Sequence, residues 1–580
     1  MVKEKQAPEG GRKGAKYIYL IISIVLSVYL WFFAFRPDSV EQSVFGKVKV
    51  ACHGMMGVER LKKDVCVNVD KISSGRDEKL KYILGEDYGK ISLEKMQGAI
   101  QIATVSTEDM GPVGEDKAWE TLGKFHEFLQ KAFPLVHKRL KKELVNKYGL
   151  LYTWEGSDKS LKPIILMAHQ DVVPVVSETI DQWKHEPYSG LFDGSTIWGR
   201  GSVDDKHPLI AILEAAELRL EEGFQPARTV LFSFGYDEES GGVHGAGTLS
   251  QEIERRYGKD SIEAIVDEGG MGVGRFQGTN LATVGVSEKG RMVGQIDLYT
   301  KGGHASMPPD HTGIGIASKL VALIEDTPHK ARLSPQNPFL TSLQCMAVHS
   351  DTMSKLQRAA LLKAGYDSAI TEQVIASLSK NPLLKNNMMT SQAIDIFNGG
   401  VKVNALPEKV NIQIDHRIAV EQTVTEIEKK LLNNILEIAK AYGLGVRTNG
   451  KTLLEGTDDE QYFEYTTSRD HWNPAPVSPT NSAAWKQFAG TIRHVYEDYG
   501  GRVYDIFSGE SVEPDNIVVT PSLMNGNTDT RYYWNLTNNI FRFTPLRFHD
   551  DPNIHTVNEH INLDAHLEGV ALFYEYFETM

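Results

Sequence analysis

"HPLIAILEAAELRLEEGFQPARTVLFSFGYDEE", residues 207–239, carries two periodicities in succession. Leu209, Ile212, Leu213, Ala216 and Leu220 recur at helical spacing until Gly223 stops the pattern. The following "ARTVLFSFGYDEE" reads as a short apolar strand that ends in acids. Upstream, "KPIILMAHQ" (162–170) is another strand, closing on His169 with Asp171 two positions beyond. Downstream, "SIEAIVDEGG" (261–270) repeats the arrangement and places Asp267 at its end. Strands alternating with helices predict an α/β sheet covered on both faces. In such sheets functional groups collect at the carboxyl ends of the strands. Polar residues scattered by chance would not gather at these edges.

The texture changes near residue 290. "RMVGQIDLYTKGGHASMPP" (291–309) reads as a strand and loop, and "GIGIASKLVALIEDT" (313–327) as a helix. Two strands around a turn follow in "GGVKVNALPEKVNIQIDHRIAV" (399–420), then a helix over 423–443 and a strand over 445–456. That order predicts a small α+β domain with an antiparallel sheet inserted into the larger one. Residues 350–395 add a mostly helical elaboration within it. The expected organisation is a stalk over 36–95, a first catalytic part over 96–288, the insert over 289–455 and a second catalytic part over 456–580.

At 580 residues the chain exceeds one hydrophobic core, as this division requires. The formal net charge of −14 argues against nucleic acid, whose phosphates call for a basic surface. "YIYLIISIVLSVYLWFFAF" (17–35) is an uncharged run about as long as a bilayer core requires. No small-residue cleavage site follows it, so the run predicts an uncleaved anchor rather than a signal peptide. Lys3, Lys5, Arg12, Lys13 and Lys16 precede it and only Arg36 follows closely, which keeps residues 1–16 cytosolic and sends the body across the membrane. In an oxidising lumen Cys52 and Cys66 are close enough in sequence to bridge locally, leaving Cys345 over. The sequon at Asn535 would then be open to glycosylation.

The chemistry lies in His169, Asp171, Asp204, Glu238, Glu239, Asp267 and His555. Oxygen and imidazole donors without cysteine suit Zn²⁺ or a similar first-row ion. Carboxylates converging without Lys or Arg would repel one another unless a cation sat among them. A pair of ions sharing one carboxylate, with a second carboxylate acting as general base, is the arrangement of aminopeptidase-type sites.

H-x-D-x-V-P, G-R-G-x-x-D-D-K, D-E-E-S-G-G and T-K-G-G-H-A-S, in that order over several hundred residues, together resemble the di-zinc aminoacylase/carboxypeptidase family. The resemblance covers roughly residues 95–580, and the anchor makes the chain most similar to the family's vacuolar, membrane-bound carboxypeptidases. It implies a zinc-exopeptidase-like α/β domain carrying an inserted lid or dimerisation domain, with two Zn²⁺ per subunit. His169 and Asp267 would bind one ion and Glu239 and His555 the other, with Asp204 as the bridge. Either acid of "DDK" could bridge, and the family pattern favours Asp204 over Asp205. His555, followed four residues later by Glu559, fits the family's terminal motif better than His549. Glu238 would be the general base that passes a proton to the leaving amine. Asp171 would orient His169 through its second ring nitrogen.

In the lid, His304 would polarise the substrate carbonyl, in some relatives from the neighbouring subunit. Asn404 and Arg531 match substrate-contacting positions, and an Arg fork suits a free carboxylate. An ordinary salt bridge is the other reading of Arg531. Arg417 is expected to support the lid structurally, and Gly302 and Gly303 to serve as permissive backbone beside His304 or as turn residues. The implied activity is metallocarboxypeptidase hydrolysis of short peptides of the Gly-Xaa type by a metal-activated water. The alternative is an N-acyl-amino-acid hydrolase or synthase with the same metal pair. A catalytically dead scaffold would have lost Glu238 or a ligand, and none is missing.

Overall fold

The computed structural model describes residues 65–580 apart from 67, 271, 469–470, 506–510 and 548–551. The anchor expected at 17–35, Cys52 and His549 lie outside the described residues. Among those described, no helix is long and apolar enough to cross a membrane.

The body begins with α1 (Asp77–Ile83) and α2 (Glu86–Ile100), which bury Leu80, Ile83, Tyr88 and Met96 in the main core. Residues 77–95 therefore belong to the body and not to a stalk. Next come β1 (Lys141–Val145), β2 (Gly149–Trp154), β3 (Ile164–His169), α3 (Lys206–Glu221), β4 (Val230–Gly235), α4 (Ala246–Tyr257), β5 (Ala264–Asp267), β6 (Gly272–Phe276) and β7 (Thr279–Glu288). The insert supplies β8 (Gly290–Tyr299), α5 (Gly313–Asp326), α6 (Pro338–His349), α7 (Lys355–Lys363), α8 (Ser368–Leu378) and β9 (Ser391–Gly399). It continues with β10 (Lys409–Ile418), α9 (Val424–Tyr442), β11 (Gly445–Thr448), β12 (Lys451–Leu454) and β13 (Tyr462–Thr467). The chain returns to the large domain with α10 (Ala483–Asp498), β14 (Val518–Met524), β15 (Ile540–Arg542) and α11 (Leu563–Thr579).

The large sheet runs β1-β2-β4-β3-β5-β15-β7-β14, with β6 on β7. At its centre β3 is parallel to both β4 and β5. All six residues of β3 are buried, which is why it reads as an unbroken apolar run and not an alternation. Parallel pairing brings the ends of the strands to one edge: His169 pairs with Gly235, and Asp267 ends the neighbouring strand. Helix α3 is buried nearly all round, as a helix apolar on every side must be. Its Glu214 is satisfied within that core by Tyr88 (2.5 Å), Ser92 (3.0 Å) and His566 (3.3 Å).

The insert forms its own six-stranded sheet, β9-β10-β8-β13-β11-β12, backed by α5 and α9. Strand β13 extends this sheet to Thr467, beyond the boundary expected at residue 455. The helical elaboration packs elsewhere. Leu340, Leu343, Leu361 and Leu378 cluster with Phe276, Leu281, Val518 and Leu523 of the large domain, so α6–α8 cover that domain's sheet edge.

Two ties hold the start of the body in place. Cys66 is bonded to Cys345 of α6, a sequence separation of 279. This corrects the local Cys52–Cys66 pairing: the partner comes from a residue distant in the chain that the fold brings alongside. Closing so long a loop restricts the unfolded chain and is worth about 2–5 kcal/mol. The second tie is a clasp on the final helix. Ser74 donates through its backbone N–H and its hydroxyl to Glu575, and Arg76 pairs with Glu578 at 3.2 Å.

Candidate metal centre and cleft

Three strand ends and two loops meet above the β3–β4–β5 edge. His169, 1 % exposed, turns Nδ1 toward Asp171, 3.0 Å from its carbonyl and 3.2 Å from Oδ1. Its Nε2 lies 2.9 Å from Asp204 Oδ1 and 3.5 Å from Glu268 Oε1. The other oxygen of Asp204 faces His555 Nε2 at 2.9 Å, and that nitrogen is 3.0 Å from Glu239 Oε1. Asp204 thus shows one oxygen to each imidazole. Ligand atoms of His169, Asp204 and Glu239 fall within 4.8 Å of one another, as do those of His169, Glu238 and Glu268.

Local structure accounts for each position. Asp171 accepts the N–H groups of Glu238 and Glu239 at 3.1 Å each and the Ser106 hydroxyl at 2.5 Å, so it anchors the loop after β4 as well as the His169 ring. That loop turns back through Gly241 and Gly242, both at positive φ. A Cβ on Gly242 would lie 2.0 Å from Asp529 Oδ1, so only glycine fits there. Glu559, fully buried, accepts Arg200 Nη1 at 2.6 Å and the N–H groups of Val203 and Asp204. It therefore fastens the Asp204 loop to the segment carrying His555. His555 itself has φ 61°, a left-handed conformation costly for a residue with a Cβ.

The electrostatics fit a cation. Burial and neighbouring acids push Glu239 and Glu268 each up to about 7 and hold Glu238 well above the ordinary carboxylate range. His555 is driven up to about 11 against its burial, chiefly by Asp204. His169 is likewise raised against its burial by Glu268, Asp171 and Asp204. So many acids and imidazoles competing for few protons form the environment that a divalent ion neutralises.

One expected ligand lands elsewhere, and the acid passed over in "DDK" is turned away. Asp267 is in neither close group. It lies in register with Arg542 on β15, whose guanidinium pulls its pKa down while burial pushes it up to about 6. The adjacent Glu268, one residue past the strand, reaches His169 instead. Asp205 is turned away as well and accepts the backbone N–H of His169 at 3.1 Å.

Beside the acids opens a cleft of about 510 Å³. Glu108, Glu238 and Glu239 line it together with Arg291, Arg417, Arg531, Trp472 and Asn527. Arg531 stacks on Trp472 at 4.3 Å and donates to the Gly241 carbonyl. Arg417, expected to be structural, faces this cleft. His304 and Asn404 do not line it: both are exposed beside a short two-stranded ladder in which His304 pairs with Ala405. Asn535 is exposed, 3.4 Å from Glu254. Sequence reading missed Ser106, Glu268, Arg291 and Trp472; only Glu268, next to a chosen acid, carried a visible signal.

The fold and site define a class. Residues 165–579 match the model of the peptidase family M20/M25/M40, and the chain belongs to that family. It is 38 % identical to carboxypeptidase S of Saccharomyces cerevisiae over 517 residues, 88 % of each chain. It is 32 % identical to an N-fatty-acyl-amino acid synthase/hydrolase of Mus musculus over 84 % of this chain and 87 % of that one. The fold is similar to that of an M20 family metallo-carboxypeptidase from Sulfolobus solfataricus, with a TM-score of 0.55, 16 % identity, and coverage of 84 % and 98 % of the two chains.

Proposed function

We propose that the protein is a zinc-dependent carboxypeptidase that releases the C-terminal residue of short peptides. The observation that carries this is Asp204 facing His169 with one oxygen and His555 with the other, beside a cleft that also holds guanidinium groups. Similarity to carboxypeptidase S supports the choice of substrate end.

His169 and Glu268 would hold one ion and His555 and Glu239 the other, with Asp204 shared; Glu268 here takes the place first expected for Asp267. Bound there, the ions supply Lewis acidity toward water and the scissile carbonyl. Glu238, in the cleft wall, accepts a proton from the attacking water and delivers it to the leaving amine. Asp171 fixes the ring orientation of His169 and the loop bearing Glu238. Arg417 and Arg531 offer planar forks to the free carboxylate of the substrate.

The similarity to the mouse enzyme supports a second reading, hydrolysis or synthesis of N-acyl amino acids, which also carry a free carboxylate. A screen of N-blocked dipeptides against fatty-acyl amino acids separates the two. Hydrolysis of blocked glycyl dipeptides is expected, abolished by phenanthroline and restored by Zn²⁺. Exclusive turnover of acyl amino acids, or indifference to the chelator, would overturn the first reading.

We further propose a type II topology with the body in the lumen, in the vacuole by resemblance, with a glycan on Asn535 and a homodimer through the lid. The hairpin around His304 and Asn404 exposes Met307 and leaves Val401 and Val403 fully exposed, a surface that suits a second copy. In that assembly His304 and Asn404 would reach the partner's cleft. The body freed of residues 1–36 should be soluble and sediment as a dimer, and glycosidase should increase the mobility of the full chain. A monomer, continued membrane partition or unchanged mobility would refute the respective part.

A further inference from the structure

The cleft gathers more guanidinium groups than one peptide carboxylate requires. Arg291 on β8 and Arg417 on β10 are directly opposed across the antiparallel pair. Like charges in that position repel and need an anion between them. Asp415 is the carboxylate they share, 3.2 Å from Arg291 Nε and 3.3 Å from Arg417 Nε. Arg531 is the third cation. Among the described residues it has no carboxylate within ion-pair distance, and it rests on the face of Trp472. The three guanidiniums act on one another: burial, and then Arg291 and Arg531, hold Arg417 below its ordinary pKa against the pull of Asp415 and Asp395.

Among the described residues Asp415 is the only carboxylate within ion-pair distance of any of the three guanidiniums. A peptide with one free carboxylate engages part of this cluster and leaves a guanidinium over. The geometry points to Arg291 as part of a second anion subsite, so that the enzyme favours substrates whose released residue is aspartate or glutamate. This inference rests on the carboxypeptidase reading. The released residue is the part of the substrate that fits, because an acidic amino acid carries both carboxylates on one small frame. Its short alkyl stem matches the spacing of side chains opposed across two strands, about 4.5–5.5 Å at the Cβ atoms. Arg417 and Arg531 would take the α-carboxylate, and Arg291 the side-chain carboxylate, with charge-assisted hydrogen bonds. A basic residue at the same place would meet three like charges.

The test compares kcat/KM of the full-length, detergent-solubilised, zinc-supplemented protein on benzoyl-Gly-Glu, benzoyl-Gly-Leu and benzoyl-Gly-Lys. The wild type should prefer Glu to Leu by about tenfold or more, the factor expected of one net hydrogen bond to a charged group. Arg291→Gln should bring the Glu/Leu ratio close to unity, Arg291→Lys should retain a preference for Glu, and Arg291→Glu should favour Lys over Glu. These are ratios within one protein sample, so partial loss of folded enzyme does not move them. A wild-type ratio at or below unity, or a ratio unchanged in Arg291→Gln and Arg291→Glu, overturns the inference while leaving the carboxypeptidase reading intact. Failure of the wild type to hydrolyse any of the three overturns both.

Discussion

Glu238→Gln is expected to lower kcat on a blocked glycyl dipeptide by about 10²–10⁴-fold, the span that a positioned proton carrier contributes. The substitution keeps the side chain's shape and leaves the backbone N–H of residue 238 on Asp171, so the loop after β4 should hold its course. Glu239 and His555 are not touched, and metal content by elemental analysis should match the wild type. KM should move little, because in the proposed binding mode the free carboxylate of the substrate is held by Arg417 and Arg531. What disappears is a group that can accept a proton and give it up again within one turnover. Turnover within a few-fold of wild type would remove Glu238 from its role. Loss of metal along with activity would make it a ligand instead.

The second large effect separates two neighbouring acids. Glu268→Gln should reduce bound metal from two equivalents to about one and cut activity by more than ~10²-fold, because a carboxylate that faces His169 Nε2 is replaced by an amide. Asp267→Asn should keep both equivalents and lose at most about 10–100-fold, the usual effect of altering a group behind the ligands. Asp267 lies buried in register with Arg542, whose own ion-pair partner is Glu288 at 3.0 Å. A thermal midpoint that falls in Asp267→Asn while metal stays bound would match this division. The reverse pattern, with metal lost only in Asp267→Asn, would restore Asp267 as the ligand.

The contrast between these acids shows what the amino-acid order can reveal. The alternation of α3 and β4 is legible because each is long enough for its period to show, and the parallel sheet follows from it. The grouping of His169, Asp204, Glu238, Glu239 and His555 is anticipated by motifs whose spacing places each at the end of a strand or in a tight loop. "VDEGG" offers two adjacent carboxylates where the strand ends, and nothing local in the sequence tells which one turns toward His169. Cys66 and Cys345 fail for the same reason: nearness in sequence favoured Cys52, and only the packing of α6 against the large domain brings the true partner into reach. Arg417 reads as lid framework because nothing local tells that β10 ends beside Trp472. Helices α1 and α2 were hidden by a polar, turn-rich lead-in whose buried positions need α11 and α3 to make sense of them.

The clasp of Ser74 and Arg76 onto Glu575 and Glu578 sets where the molecule can be handled. An affinity handle appended after Met580 would emerge beside residues 74–76, near the start of the described chain. A tag inserted at an exposed turn of the lid, such as Asn449–Gly450 between β11 and β12, would sit on the inserted sheet, whose core is separate from that of the final helix.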